Sequence, residues 1–580
     1  MATSLKSKRA RKRSRCVWLL CAAATIVMPL CGCAGPAIRS QSPEVEALLN
    51  IEAETRLVGD YTMPWGMNPQ RIERAALVTG LAGTGSDPPP NTRRQALLSD
   101  MQARGVIQPN TLLASPATSL VWVHAYLPPG VRKGDRFDVA VEVPPDCDTS
   151  SLNGGWLMET RLAEMAVLGS RIRDGHVMGI VEGPLLVDPV SSGTLDSKSK
   201  IRGIVPGGGV SLTSRSIGLI LQPEHRSVAL SKRIGDTINR RFHTSVSGSK
   251  QGVATPKTDR FIELEIPTAY HHNLGRYIRV VGAVAVAEPA GGLHARLDLL
   301  RRQLADPVTA STAALRLEAI GKDGITVLKD GLESNDAEVR FAAAEALAYL
   351  GESVAAEHLA DAAANLRSAR PAALAALRVI DDANGIDALQ SLLSSSSAET
   401  RYGAFRALWM MDSPIPLVRG EQLGEACGFH VLNVDGPTLI HATRSHHPEI
   451  VLFGTEHPLS NGMRVEAGPA IVVVVDGGAA TCSRFEAGVA DRVIETKADA
   501  ESVLRALAQL EATYPDMIQF LQQATAQRAL GTRLAFDALP RANDGRGSLH
   551  EEISIRDRSI PADAPVDAAF SGESGTDESS

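Results

Sequence analysis

The chain has 580 residues, of which 44% are hydrophobic, 22% charged and only 4% aromatic, and its formal net charge is −7. That length exceeds one ordinary core and predicts about three to five folded units. An acidic chain poor in rings lacks the basic surface that phosphates require and the stacking platforms that single strands require, so a nucleic-acid binder is excluded.

Residues 1–15 hold seven bases (Lys6, Lys8, Arg9, Arg11, Lys12, Arg13, Arg15) and no acid, and an apolar stretch follows from Cys16 to Leu30. About 15 residues fall short of the ~20 of a membrane-crossing helix, so the pattern reads as an export signal. Leu30-Cys31-Gly32-Cys33 resembles the bacterial lipoprotein cleavage box. That resemblance implies Cys33 as the first mature residue, acylated on its sulfur and amine, and hence a membrane contact through lipid. Plain cleavage near Ala34 or Gly35, or an uncleaved inner-membrane helix, stays open. Loss of residues 1–33 removes seven bases and takes the net charge from −7 to −14. Such a body does not hold anionic headgroups over a broad face. Besides Cys33 it keeps Cys147, Cys427 and Cys482, too few for a disulfide framework. A Cys427–Cys482 bridge is the weak candidate.

Residues 34–56 read as a polar tether, and 57–290 as an α+β unit built largely of antiparallel sheet. Asn91 or Thr92 caps a helix that Gly105 ends. Val121, Val123 and Ala125 alternate with Trp122, His124 and Tyr126, and Phe137, Val139, Val141 and Val143 alternate with Asp138, Ala140 and Glu142. Period two marks half-buried strands, and Pro128-Pro129-Gly130 closes them into a hairpin. Ser227 opens a helix with Leu230, Ile234 and Ile238 on one face. Strands are expected at 261–266 and 277–287. Three glycine clusters punctuate the segment: Gly80 to Gly85, Gly154-Gly155 and Gly207 to Gly209. A P-loop would need a lysine after Gly85, where Ser86 and Asp87 stand, and Pro88-Pro89-Pro90 forbids a helix starting there. They are read as turn or packing glycines.

The order of these segments resembles the flagellar basal-body P-ring protein family. Ala76 to Asp87 resembles that family's opening glycine motif. Val123-His124-Ala125-Tyr126-Leu127-Pro128-Pro129 through Gly134 to Val139 resembles its hairpin, and Ser151-Leu152-Asn153-Gly154-Gly155 its Ser-Leu-x-Gly-Gly element. Glu182-Gly183-Pro184-Leu185, Pro206 to Val210, Ala229 to Asn239 and Ile266 to Tyr270 follow in the family's order. The resemblance implies a periplasmic ring around the flagellar rod, held in the peptidoglycan layer. Its partners would be copies of itself and other basal-body or envelope proteins, and it carries no catalytic, cofactor or metal residue across. Two departures stand out: a helical stretch follows residue 290 where the family's second half is expected, and the start looks lipidated.

That helical stretch, 291–412, repeats. Leu317, Leu347, Leu377 and Leu408 are spaced by about 30 residues, as are Leu328, Leu359 and Leu389. Asp336-Ala337-Glu338-Val339-Arg340 and Ser397-Ala398-Glu399-Thr400-Arg401 stand two repeats apart. A two-helix unit of this period resembles HEAT-like repeats stacked into an α-solenoid, whose ordinary use is protein–protein contact. A plain helical bundle stays open.

Residues 413–540 read as a small α+β region, with β signals to 485 and helices after. Ile450 to Phe453 and Ile471 to Val475 are expected as buried strands; a remnant of the ring family's second half is one reading of this stretch. Val503, Leu504, Leu507 and Leu510, then Ile518, Leu521 and Leu530, predict amphipathic helices. His430, His441, His446, His447 and His457 crowd here but lack ligand spacing, and are expected at the surface. Residues 541–580 hold nine acids and four bases with few large apolar groups, and are expected to be disordered. The expected whole is a multidomain α+β structural protein with no cofactor. The other reading is a lipid-anchored envelope adaptor that binds a partner through its solenoid.

Overall fold

The computed structural model describes residues 55–539, except 169–170, 188–199, 247–248, 289–291, 412–414 and 487. The expected signal, Cys33, most of the tether and the acidic tail lie outside the described residues.

Six long strands form the first unit, β1 (Gln70–Thr79), β2 (Ser119–Leu127), β3 (Arg136–Glu142), β4 (Trp156–Leu168), β5 (Arg171–Pro184) and β6 (Arg202–Ser211), and a short strand, Leu186–Val187, adds to β6. Each pairs antiparallel with the next around the circuit β3-β2-β1-β4-β5-β6, and β6 returns to pair with β3. The sheet therefore closes into a six-stranded barrel, which leaves these strands no long free edge. The hairpin forms as expected, with Val123 opposite Val141. Val121, Val123, Ala125, Phe137, Val139 and Val141 point inward, and Tyr126 lies outside.

Two glycines make the barrel interior possible. A Cβ on Gly179 of β5 would stand 2.7 Å from Cζ of Phe137, and one on Gly209 of β6 would also run into that ring. The ring fills the space that two missing side chains leave, at the seam where β6 meets β3. In the first glycine cluster, Gly85 presses on the carbonyls of Thr118 and Pro116 and donates its N–H to Pro116 O (2.8 Å). These are packing positions.

A four-stranded antiparallel sheet follows, ordered Ala254–Pro256, Phe261–Leu264, Ile217–Leu221, Thr62–Trp65. Helix α1 (Val228–Arg241) buries Ile234 and Ile238 against it. The strand expected at 277–287 is instead helix α2 (Leu274–Gly282) followed by the short strand Ala285–Ala287. The run Tyr277-Ile278-Arg279-Val280-Val281 is apolar enough for either element. Asn273 decides it by accepting the N–H of Arg276 as an N-cap.

Eight helices come next: α3 (Gly292–Leu304), α4 (Ala310–Ile320), α5 (Ile325–Leu332), α6 (Ala337–Tyr349), α7 (Ala355–Asn365), α8 (Arg370–Leu377), α9 (Ala383–Leu392) and α10 (Ala398–Trp409). Each packs on its sequence neighbour, and α4, α6, α8 and α10 pack in series as one layer; opposite them α3 packs on α5 and α7 on α9 as the other. Leu317, Leu347, Leu377 and Leu408 are all buried in one layer, and Leu328, Leu359 and Leu389 in the other. Ala342, Ala343, Ala344, Ala346 and Ala348 let neighbouring helices approach closely. Asp336 and Ser397, the equivalent positions, both cap their helices.

Residues beyond 414 form a mixed five-stranded sheet, ordered Glu421–Leu423, β7 (Cys427–Leu432), β9 (Glu449–Phe453), β8 (Leu439–Ala442), Arg533–Phe536. A four-stranded meander spans 464–497, with helices α11 (Ala500–Gln509) and α12 (Tyr514–Ala526) packed beside it. The expected division into sheet before 486 and helix after it fails. Arg492–Lys497 is the meander's fourth strand, and Arg533–Phe536 returns to pair in parallel with β8. One further expectation is corrected: Ile471–Asp476 buries a single face, leaving Val474 exposed.

Candidate assembly surface

Three polar seams tie these parts together. The first joins α2 to the helical layers. Arg276 is 3% exposed, and its Nε and Nη2 donate to Glu318 Oε2 at 3.1 and 2.5 Å. Its Nη1 sits 2.5 Å from Glu345 Oε1. Tyr270 donates its hydroxyl to Glu318 Oε1 (2.6 Å), and the guanidinium lies 4.7 Å from the Tyr349 ring centroid. Burial opposes the charge on Arg276, but the two carboxylates outweigh it and hold the guanidinium protonated. Arg241, at the end of α1, donates to Glu318 O.

The second seam joins α10 to the terminal sheet. Glu449 of β9 accepts from the Tyr402 hydroxyl and from Arg406 Nη1 (3.0 Å). Arg401 donates to Leu393 O (2.7 Å) and to Pro437 O. His441 stacks on Tyr402 at 3.4 Å, and its Nε2 accepts from the N–H of Ala538 (3.0 Å). Burial lowers this imidazole to about 3.

The third seam closes the circuit, because the terminal region also meets the barrel. Asp138 of β3 accepts two backbone N–H groups on one oxygen, from Gly207 (2.9 Å) and from His446 (2.6 Å). His446 takes a left-handed backbone (φ 64°), and a Cβ on Gly207 would collide with its carbonyl. Leu186 of the barrel is buried in the terminal region's own core.

The structure corrects two expectations about site residues. Cys427 and Cys482 are free thiols: Cys427 lies in β7 with its Sγ 3.9 Å from Met517 Sδ, and Cys482 lies in the meander. Burial pushes them up to about 12 and about 11 respectively. The histidines are not all superficial. His430, His441 and His457 are buried, while His446 is exposed in the loop at the third seam. Hydrogen bonds to Val418 O and Gly454 O satisfy His430 Nδ1 and His457 Nε2, while His441 lies against the Tyr402 ring with its Nδ1 unpaired among the described residues. Among the described residues no group of three or more His, Cys, Asp or Glu is placed to hold a metal, and no helix is long and apolar enough to cross a membrane.

The sequence barely marks the acids of these seams, Glu318, Glu345, Glu449 and Asp138. One signal was available: Glu318 falls four residues after Ala314 and next to Leu317, on the apolar stripe of α4. Asp138 gave none, since its partners are 69 and 308 residues away.

The described residues define a mixed α+β protein in which a closed antiparallel barrel, a helical stack and a terminal sheet meet along polar seams. Comparison with known proteins sharpens that class. Residues 61–291 match the family model of the flagellar P-ring protein. The flagellar P-ring protein of Thermotoga petrophila is 27% identical over 244 residues, covering 40% of this chain and 67% of that one. The P-ring protein of Geobacter metallireducens is 26% identical over 264 residues, 43% of this chain and 67% of that one. That of Hydrogenovibrio crunogenus is 32% identical over 159 residues, 26% of this chain and 40% of that one. The chain thus spans two thirds or less of these relatives. The family match ends at residue 291, directly before α3 begins at Gly292, so the helical stack and terminal region lie outside it.

Proposed function

We propose that this chain is a structural component of the cell envelope that forms or joins a P-ring-like ring around the flagellar rod, with no catalytic role. The observation that carries this reading is the family match over 61–291, which takes in the barrel, the four-stranded sheet, α1 and α2. In this reading residues 1–33 export the chain, Cys33 anchors it through lipid, and residues 34–56 tether the body. The stack from 292 to 409 acts as a HEAT-like solenoid that adds an outer layer to the ring subunit. Its partners are copies of itself, other basal-body proteins and the peptidoglycan layer. The rigid seams suit a bushing, which must keep its shape under a turning rod.

The test is biochemical. A tagged chain produced in its own host is expected to co-purify with detergent-extracted basal bodies and to incorporate a palmitate analogue that Cys33→Ala loses. Recovery as a monomer absent from basal bodies overturns the ring.

One observation favours a second reading, a lipid-anchored adaptor. Between α7 and α9 lies an open groove of about 420 Å³, lined by Val354, Glu357, Ala360, Asn384, Asp387 and Ser391 among others. A host lacking genes for rod and hook proteins would favour it.

A further inference from the structure

We propose that the acidic carboxy-terminal segment of this chain docks on the basic outer face of α1. That face is an open depression of about 680 Å³ lined by Ala229, Lys232, Arg233, Asp236, Asn239 and Arg240. Lys232, Asp236 and Arg240 follow at i, i+4 and i+8, so they stand in one line along the helix. Lys232, Arg233 and Arg240 are exposed, and Val228 at the start of the same helix is 71% exposed. Arg233 donates to Val286 O (3.1 Å) and Arg240 to Thr237 Oγ1 (3.0 Å), both neutral acceptors. None of the three cations forms an ion pair among the described residues, in contrast to Arg276 and Arg406.

The setting is unusual for this chain. Residues 215–260 carry nine bases and three acids, within a protein whose net charge is −7. The complementary charge lies in the same chain. Residues 541–580 carry nine acids and four bases, and the last 22 residues carry five acids (Asp563, Asp567, Glu573, Asp577, Glu578) and no base.

Forty residues span up to about 130 Å when extended, more than the expected diameter of a globular body of this size. Reach is therefore no obstacle. One exposed carboxylate–guanidinium contact is weak, so a stable association needs several at once. A tether supplies the local concentration that makes several weak contacts sufficient, which favours the chain's own tail over that of another copy. Docked, the tail withholds a basic surface from soluble polyanions. The proposal does not depend on the ring reading.

Zero-length carbodiimide coupling of the purified full chain tests it, because Lys232 is the one amine in the depression. Mass spectrometry is expected to find Lys232 joined to Asp563, Asp567, Glu573, Asp577 or Glu578. These links should fall at least fivefold in 0.5 M NaCl, where the Debye length is about 4 Å. In an equal mixture of isotopically light and heavy protein they should stay within one copy. Neutralising the five acids (D563N, D567N, E573Q, D577N, E578Q) should remove the links and raise the salt needed to elute the chain from heparin. Adding K232E, R233E and R240E should abolish that gain. Tail links spread evenly over Lys133, Lys257 and Lys322, links between copies, or an unchanged heparin elution would each overturn the proposal.

Discussion

At the scale of single residues, the buried charges carry the largest consequences. Arg276 faces two carboxylates in a buried site, so removing it strands both. Breaking a buried pair from one side costs about 3–5 kcal/mol, more than the pair itself contributes against an apolar replacement. Arg276→Met is therefore predicted to lower the unfolding free energy by about 3–5 kcal/mol in urea titration. Adding Glu318→Gln and Glu345→Gln should recover part of the loss. His441 gives a pH dependence. Its folded value of about 3 lies below the about 6.5 of an unfolded histidine, so the unfolded chain takes up the proton first as pH falls. Stability that is full above pH 6.5 is lost from there toward pH 3. Between pH 7 and 5 this group accounts for about 2 kcal/mol, at 1.36 kcal/mol per unit. Burial lowers His430 and His457 as well, so they act in the same direction. His441→Phe is predicted to flatten the curve of stability against pH by about 2 kcal/mol over that range; an unchanged slope would show that the ring is not buried neutral.

At the scale of elements, the barrel depends on one large ring among glycines. Gly209→Ala sets a methyl against Phe137 at the β3–β6 seam, and overpacking of this kind costs about 1–3 kcal/mol. The double variant Gly209→Ala with Phe137→Leu is expected to be more stable than the sum of its single changes, as a double-mutant cycle in urea would reveal. The hairpin of β2 and β3 was legible because alternation survives wherever one face of a strand is wet. Helices α4 to α10 were legible because leucines repeat every 30 or 31 residues and the caps at Asp336 and Ser397 repeat with them. Helix α2 was not, since a short run of β-branched and aromatic residues fits a buried helix and a buried strand equally. Arg492–Lys497 was also missed, because an edge strand with both faces exposed shows no alternation.

At the scale of the whole molecule, Asp138, Gly207 and His446 close a circuit from barrel to stack to terminal region and back. A methyl at Gly207 would meet the carbonyl of His446 and sit at a backbone φ of 58° that L residues resist. Gly207→Ala is predicted to free the terminal region from the barrel while leaving the helical stack intact. Hydrogen exchange should quicken around 443–447 and 203–209, with α4 to α8 unchanged. Equal exchange in both proteins would mean that this contact bears no load.

Sequence alone determined the period-two strands, the 30-residue helical period, the glycine-marked turns and the likeness of 57–290 to a ring-forming family. All of these depend on neighbours within a few residues or on a repeated pattern. The tertiary structure alone decided that the sheet closes, that the four-stranded sheet and the helices share one hydrophobic core, and that acids such as Glu318, Glu345 and Glu449 are buried partners. The physical reason is the same in each case. A charge or a strand edge is stable only with its partner, and here the partners of these acids lie between 42 and 308 residues away, beyond the reach of any local pattern.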